Sequence, residues 1–335
     1  MSNQRMVSNK KHRVGIIGAG AIATSCHLPV LMSLPNVRVE WITDVDASRS
    51  QAGSESFGIK RVDEKNLEDA SQVDVVLLAL PYGARKTYYP FCTSRGSAAY
   101  VEKPFARTLA EHHDICSWFP VHRLACGLQR RASGAASLLK QVISERLFGE
   151  VRRIKFSMGG YGTRGGGYSS NLSLAGGGVL FDHAIHGLDL ALYCVAATSV
   201  EVQNVTMILD DGFDIHTAAQ IRVITSEHSD IEFELKATCL EYADNRVHVE
   251  FEHAKLELDP YGSSELAVNS RNGKSHLQLR QDSSRASART ANQIFSNFWQ
   301  NFLRSIETEV ANFTSAQMSV VTTSCIDQLY SRGQA

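Results

Sequence analysis

The chain has 335 residues, a length that suits about two domains of ~150 residues, each with its own core. With 43% apolar and 21% charged residues it is neither disordered nor collagen-like, and 34 basic against 35 acidic side chains leave a net charge of -1, which draws it to neither nucleic acid nor anionic lipid. Apolar runs such as Val75 to Pro81 fall far short of the ~20 residues of a bilayer span, so a membrane protein is not expected.

The first stretch, MSNQRMVSNKKHR, has basic residues but no apolar centre and is expected to be a polar leader, not a signal peptide. Arg13 to Ile17 reads as a short strand ending in glycine, and Ile22 to Leu34 as a helix that tolerates Pro29 at a kink. Val37 to Thr43 is the next strand, 47 to 57 a helix, and Val73 to Leu80 and Ala98 to Val101 buried strands. Strand and helix in alternation predict a Rossmann-type, doubly wound parallel sheet over residues 12–126. Residues 127–335 change character. A helix from Ser133 to Arg146 precedes Ile231 to Lys236, Val247 to Glu252 and Lys255 to Leu258, where apolar and polar residues alternate. That period of two predicts an α+β domain with a large, mostly antiparallel open sheet. Helices near 291 to 309 and 315 to 331 close the chain. The glycine-rich segment Gly159 to Gly178 reads as a loop near a site, and Asp282 to Arg289 as a polar, mobile stretch. The seven cysteines, at 26, 92, 116, 126, 194, 239 and 325, form no CxxC pair, which suits reduced thiols and a cytoplasmic location.

Three motifs carry chemistry. After the first strand comes Gly18-Ala19-Gly20-Ala21-Ile22-Ala23. In this pattern Gly18 makes a tight turn, Gly20 lets the backbone touch a pyrophosphate, and Ala23 allows close helix–strand packing. Asp44 follows 24 residues beyond Gly20, at the end of the second strand. There it can accept both ribose hydroxyls of NAD and repel the 2′-phosphate of NADP, so NAD is the expected cofactor. The second motif, Glu102-Lys103-Pro104, stands at the carboxyl end of a buried strand, where open α/β sheets bind ligands, although such triplets are also common on solvated surfaces. In the third, from Gly176 to Asp189, α-helical spacing from Leu180 puts Asp182, His186 and Asp189 on one face, with His183 pointing elsewhere. A carboxylate one turn from a histidine can orient it as a general base. A packed core histidine is one alternative. A metal site is another, disfavoured because no fourth ligand is evident and the lysine brings positive charge, so no metal is expected.

In order and spacing, VGIIGAGAIA at 14–23, Asp44, Leu80-Pro81, Glu102-Lys103-Pro104 and GGGVLFDHAIHGLDL at 176–190 resemble the glucose-fructose oxidoreductase / inositol dehydrogenase (Gfo/Idh/MocA) family, over almost the whole chain. Gly127 to Arg131, then a helix and Gly149-Glu150-Val151, is similar to the family's entry into its second domain. The resemblance implies a catalytic group of Lys103, Asp182 and His186. It also implies cofactor contacts from Gly18, Gly20, Ala21, Ile22, Ala23, Asp44, Leu80, Pro81, Glu102 and Lys103, and a homodimer or homotetramer built on the open sheet face. Tyr82, Arg85 and Ala184 depart from the family pattern, the first two beside the expected cofactor.

The resulting expectation is an NAD-dependent oxidoreductase acting on a secondary alcohol of a sugar, sugar derivative or cyclitol. His186 would take the hydroxyl proton, Asp182 would orient it, and Lys103 would bind the reacting oxygen. Substrate contacts are expected from Lys103, Asp182 and His186, with Tyr161 and Arg164 of the glycine-rich loop; Thr163, Tyr168 and Asn171 could add more. The rival from another class is a sensor on the same fold that binds NAD and sugar without turnover.

Overall fold

The computed structural model describes residues 11–162, 167–227, 229–260, 265–270, 276–280 and 291–333. Most of the expected leader, Thr163, Arg164 and the polar stretch Asp282 to Arg289 lie outside these residues.

Short apolar runs bounded by glycine, proline and acidic residues form the first sheet. Its strands are β1 (His12–Ile17), β2 (Val37–Thr43), β3 (Lys60–Arg61), β4 (Val75–Leu78), β5 (Ala98–Val101) and β6 (Leu124–Cys126). They lie in the order β3-β2-β1-β4-β5-β6, every pair parallel. The order reverses between β1 and β4, the kind of switch point at which open α/β sheets bind ligands. Helices α1 (Leu28–Ser33), α2 (Ala47–Phe57), α3 (Tyr89–Ser94) and α4 (Leu109–Ser117) connect the strands.

After α5 (Gly134–Ser144), β7 (Val151–Gly159) begins the second sheet, and α6 (Leu172–Ala175) and α7 (Ile185–Cys194) intervene before its remaining strands. These are β8 (Ala197–Asp210), β9 (Phe213–Thr225), β10 (Asp230–Thr238), β11 (Val247–Phe251), β12 (Ala254–Leu258), β13 (Glu265–Ser270) and β14 (His276–Arg280). The eight strands run β14-β13-β12-β11-β7-β10-β9-β8, antiparallel except for β7 against β10. Their inward side chains, among them Phe156, Phe233 and Phe251, pack with Leu139 of α5, Leu188 of α7 and Leu329 of α9 (Val320–Gly333). The outer face carries ion pairs instead, such as Lys255 with Glu250, His248 with Asp244 and Arg222 with Asp230.

The division of the chain at 126/127 does not follow the cores. Helix α8 (Ala291–Thr308) leaves the second half and packs into the first, where Ile294, Phe298, Trp299 and Phe302 join Val14, Ile16 and Tyr100. Trp299 stacks on Tyr100 of β5 with ring centroids 4.5 Å apart. No described helix is long and apolar enough to cross a membrane.

Candidate active site

The turn after β1 is shaped by two glycines with different demands. Gly18 has φ +99°, and a Cβ there would stand 2.3 Å from the Ala79 carbonyl oxygen, so no side chain fits. A Cβ at Gly20 would meet nothing within 4 Å, so open space lies over that peptide. The chain is helical from Ala21 to Ser33 and widens into a π turn at Ala23–His27 just before Pro29, the residue that lacks an N–H. Ala23 is buried against the sheet, where a larger side chain would push helix from strand. Asp44, one residue past β2, accepts the Ala19 N–H at 2.7 Å and the Asp46 N–H at 2.8 Å. An open glycine floor, a helix start beside it and a carboxylate at the end of β2 fit a dinucleotide phosphate and ribose.

Lys103 follows β5 on the same edge of the sheet, and its ammonium reaches across to the second domain. Nζ donates to Asp182 Oδ1 at 2.7 Å and to the Asp182 carbonyl at 2.8 Å. Glu102, expected along the cofactor, instead turns its carboxylate into a buried network. Trp299 Nε1–H donates to His27 Nδ1 at 2.9 Å, which makes Nε2 the protonated nitrogen that donates to Glu102 Oε1, also at 2.9 Å. The Gln129 amide donates to the same oxygen at 2.7 Å. Burial pushes the Glu102 carboxyl up, but the His27 bond and the charges of Lys103 and Arg85 outweigh it and leave the group below its ordinary value.

Asp182 and His186 come from one helical run, with a correction to the expected geometry. Residues Leu180–Ala184 form a π turn, and only Ile185–Cys194 is α-helix. The α spacing expected from Leu180 therefore begins only at Ile185. The Asp182 carboxylate is partnered by Lys103 and, at 3.4 Å from Oδ2, by the exposed His183. Asp189 belongs to a structural cluster: it accepts from Arg131 Nε at 2.8 Å and from Thr322 at 2.8 Å. Burial raises the Asp182 carboxyl, and the neighbouring Lys103 and His183 more than reverse this, so the group stays ionised. For His186, burial and then the charges of Lys103, Arg130 and His183 hold the imidazole well below its usual range. It is neutral at pH 7, the form a proton acceptor needs.

Two further residues build the site: Asp214, which escaped the sequence reading, and Arg85, noted there only as a departure from the family pattern. Asp214 on β9, fully buried, accepts the N–H groups of Gly178 and Leu180, both at 2.6 Å, and the Tyr330 hydroxyl, and so caps the start of the helical run. The period of two that buries Thr217, Ala219, Ile221 and Val223 puts position 214 with the outward residues, so its burial had no signal in the sequence. Arg85 spans the loops after β4 and β5 by donating to the carbonyls of Leu80 and Lys103. Of the expected substrate contacts, Tyr161 is exposed and lies edge-on to Tyr242 with centroids 5.0 Å apart. Asn171 caps α6 through the Ser173 N–H, and Arg164 lies outside the described residues.

Two family models match the chain. One, described as an oxidoreductase family with an NAD-binding Rossmann fold, covers residues 12–125, and the other, the GFO/IDH/MocA C-terminal domain, covers 137–257. D-glucoside 3-dehydrogenase of Escherichia coli is 27% identical over 197 residues, 57% of this chain and 56% of that protein. Inositol 2-dehydrogenase 2 of Paenarthrobacter aurescens is 25% identical over 197 residues, 57% of each. The chain thus spans little more than half the length of the curated relatives it matches. Among solved structures, aldose-aldose oxidoreductase from Caulobacter crescentus, crystallised with glycerol, superposes with a TM-score of 0.82 at 18% identity, covering 97% of this chain and 98% of that one; at that identity the likeness shows the fold.

Proposed function

The chain belongs to the GFO/IDH/MocA family of oxidoreductases, and from that premise we propose that it moves hydride between a secondary alcohol of a sugar, sugar derivative or cyclitol and a nicotinamide dinucleotide, NAD in preference to NADP. The observation that carries this reading is the Lys103 ammonium, 2.7 Å from Asp182, in a helical run whose His186 is neutral, at the carboxyl end of the nucleotide-type sheet. The likeness to a glucoside dehydrogenase and an inositol dehydrogenase supports the substrate class.

Gly18, Gly20, Ala21, Ile22 and Ala23 would hold the pyrophosphate, Asp44 the adenosine ribose, and Leu80 and Pro81 would line the crevice toward Lys103. When bound, the dinucleotide supplies the hydride acceptor for oxidation or the donor for reduction. Lys103 donates a hydrogen bond to the reacting oxygen and stabilises the negative charge that develops there. His186 takes the hydroxyl proton in oxidation and returns it in reduction. Asp182 serves Lys103 by holding the ammonium in place. Tyr161, beyond β7, would contribute to recognition of the rest of a polyol.

The test is turnover of the purified protein with NAD+ or NADP+ against glucosides, aldoses and cyclitols, read as absorbance of the reduced cofactor. The proposal expects activity with at least one class and a higher kcat/KM with NAD+. Tight dinucleotide and sugar binding without turnover would replace it with the non-catalytic sensor.

A further inference from the structure

Arg85 lies between two short 3-10 turns, Tyr82–Ala84 and Lys86–Tyr88, and is 2% exposed. Its Nε and Nη2 donate to the Leu80 carbonyl at 3.0 and 2.9 Å. Nη2 also donates to the Lys103 carbonyl at 2.9 Å, and Nη1 to that of Pro104. Leu80 follows β4, and Lys103 and Pro104 follow β5, the neighbouring strand. One guanidinium therefore bolts together the two loops that follow β4 and β5. On the other side of the same residue, the Lys103 N–H is held by Glu102 Oε2 at 3.2 Å. With both flanking peptide units fixed, the direction in which the Lys103 side chain leaves the backbone is set, and it leaves toward Asp182.

We propose that Arg85 is a positioning residue of the reaction, fixing the Lys103 backbone against the end of β4 so that the ammonium stays on Asp182, where the reacting oxygen is to bind. A planar fork that serves three carbonyls has no equivalent in lysine, whose ammonium is a point charge on a flexible stem. Its hydrogen-bond partners are neutral carbonyls, so its charge also reaches the carboxylates of Glu102 and Asp182 and helps keep both ionised. Keeping a cation out of water is costly where a neutral side chain could bridge two loops, which argues for a task beyond filling space.

The test compares wild type with Arg85→Lys, which keeps charge without the fork, and Arg85→Met, which keeps neither. Acylation of Lys103 by limiting acetic anhydride, read by peptide mass spectrometry, needs no substrate. The proposal expects labelling at least about 5-fold faster in the variants, because a Lys103 no longer held on Asp182 is freer to give up a proton and present its amine to the anhydride. In turnover it expects kcat about 10²-fold lower in both variants, with KM for the alcohol and Kd for the dinucleotide within about 3-fold, since a misplacement of about 1 Å is worth that much in rate. Wild-type labelling of Lys103 in folded Arg85→Lys overturns the proposal, as does wild-type kcat in either variant. The turnover arm rests on the proposed reaction and the labelling arm does not. A wild-type protein that oxidises no alcohol therefore ends that reading while labelling still decides this one, and Arg85→Lys carries the test if Arg85→Met does not fold.

Discussion

Two glycine-rich turns lead into the two helices of the site, each helix with a π turn near its start, and Gly20 of the first serves the opposite purpose to the glycines of the second. After β1, the missing side chain of Gly20 faces empty space, and Asp44 takes only the Ala19 amide of the turn itself. Before α7, every missing side chain is replaced by protein. A Cβ at Gly176 would lie 2.4 Å from Tyr82, at Gly177 2.3 Å from the Tyr330 hydroxyl, and at Gly178 2.0 Å from the Asp214 carbonyl. The Gly178 and Leu180 amides of that turn are already spent on the Asp214 carboxylate. Glycine before a helix is therefore no evidence of a ligand by itself. What stands where the Cβ would be separates a floor left open for a phosphate from a joint closed by packing.

The largest effect is expected at the residue that both turns frame. Lys103→Ala should lower kcat about 10³-fold, near 4 kcal/mol, the upper range for loss of one preorganised donor, while dinucleotide affinity measured by fluorescence stays within about 2-fold. Weaker dinucleotide binding with kcat at saturation intact would move Lys103 to the service of the first turn and break the division of labour. Next, Gly178→Ala should destabilise the fold by about 3 kcal/mol in thermal or denaturant unfolding, because a methyl group has to displace backbone. Gly20→Ala is the counterpart: unchanged unfolding, but dinucleotide affinity about 10-fold lower, or 1.4 kcal/mol. Equal loss of stability in the two alanine variants would erase the contrast drawn here.

The smallest effect concerns pH. Asp182 is held below its ordinary value, through Lys103 and His183 acting against burial. Its folded-state pKa thus lies under its unfolded value, so its contribution to stability is present above the ordinary carboxyl range and lost as pH falls through the folded value. Unfolding of wild type and Asp182→Asn across pH 3 to 6 should show a steeper acid-side slope in wild type, since the other depressed carboxyls, Glu102 among them, act in both. Equal slopes would remove the Lys103–Asp182 pair from the second turn's role.

Much of the first half was legible because parallel strands buried on both faces leave unbroken apolar runs, Val75 to Leu78 among them, that end at motif residues. The open sheet was harder to read. The long strands β8 and β9 were missed although Asp211-Gly212 between them, with φ of 49° and 81°, is a hairpin signal in the sequence itself. The alternation of β8 breaks into several exposed residues, so its period is blurred. Lys103, Asp182 and His186 could be named from motif order, but not the partner of Asp182. A π turn has no sequence signature, and α spacing at 182 to 186 could not show that Lys103 pairs with Asp182. Arg85 was visible as a departure, yet its three carbonyl partners depend on two loops meeting in space. No local pattern records such a meeting.

The return of α8 to the first core has a consequence for how the protein is made. Trp299, Phe298 and Phe302 are all but fully buried against strands that leave the ribosome far earlier. Between the last strand of that sheet, ending at Cys126, and the end of α8 at Thr308 lie 182 residues (308 less 126). At about 5–20 residues per second, synthesis of that stretch takes roughly 10–35 seconds. For that interval the nascent nucleotide-type domain exposes the apolar bed on which Trp299 will lie, a surface that invites chaperones. A gene fragment stopping near 126 would make the same half-covered product permanently.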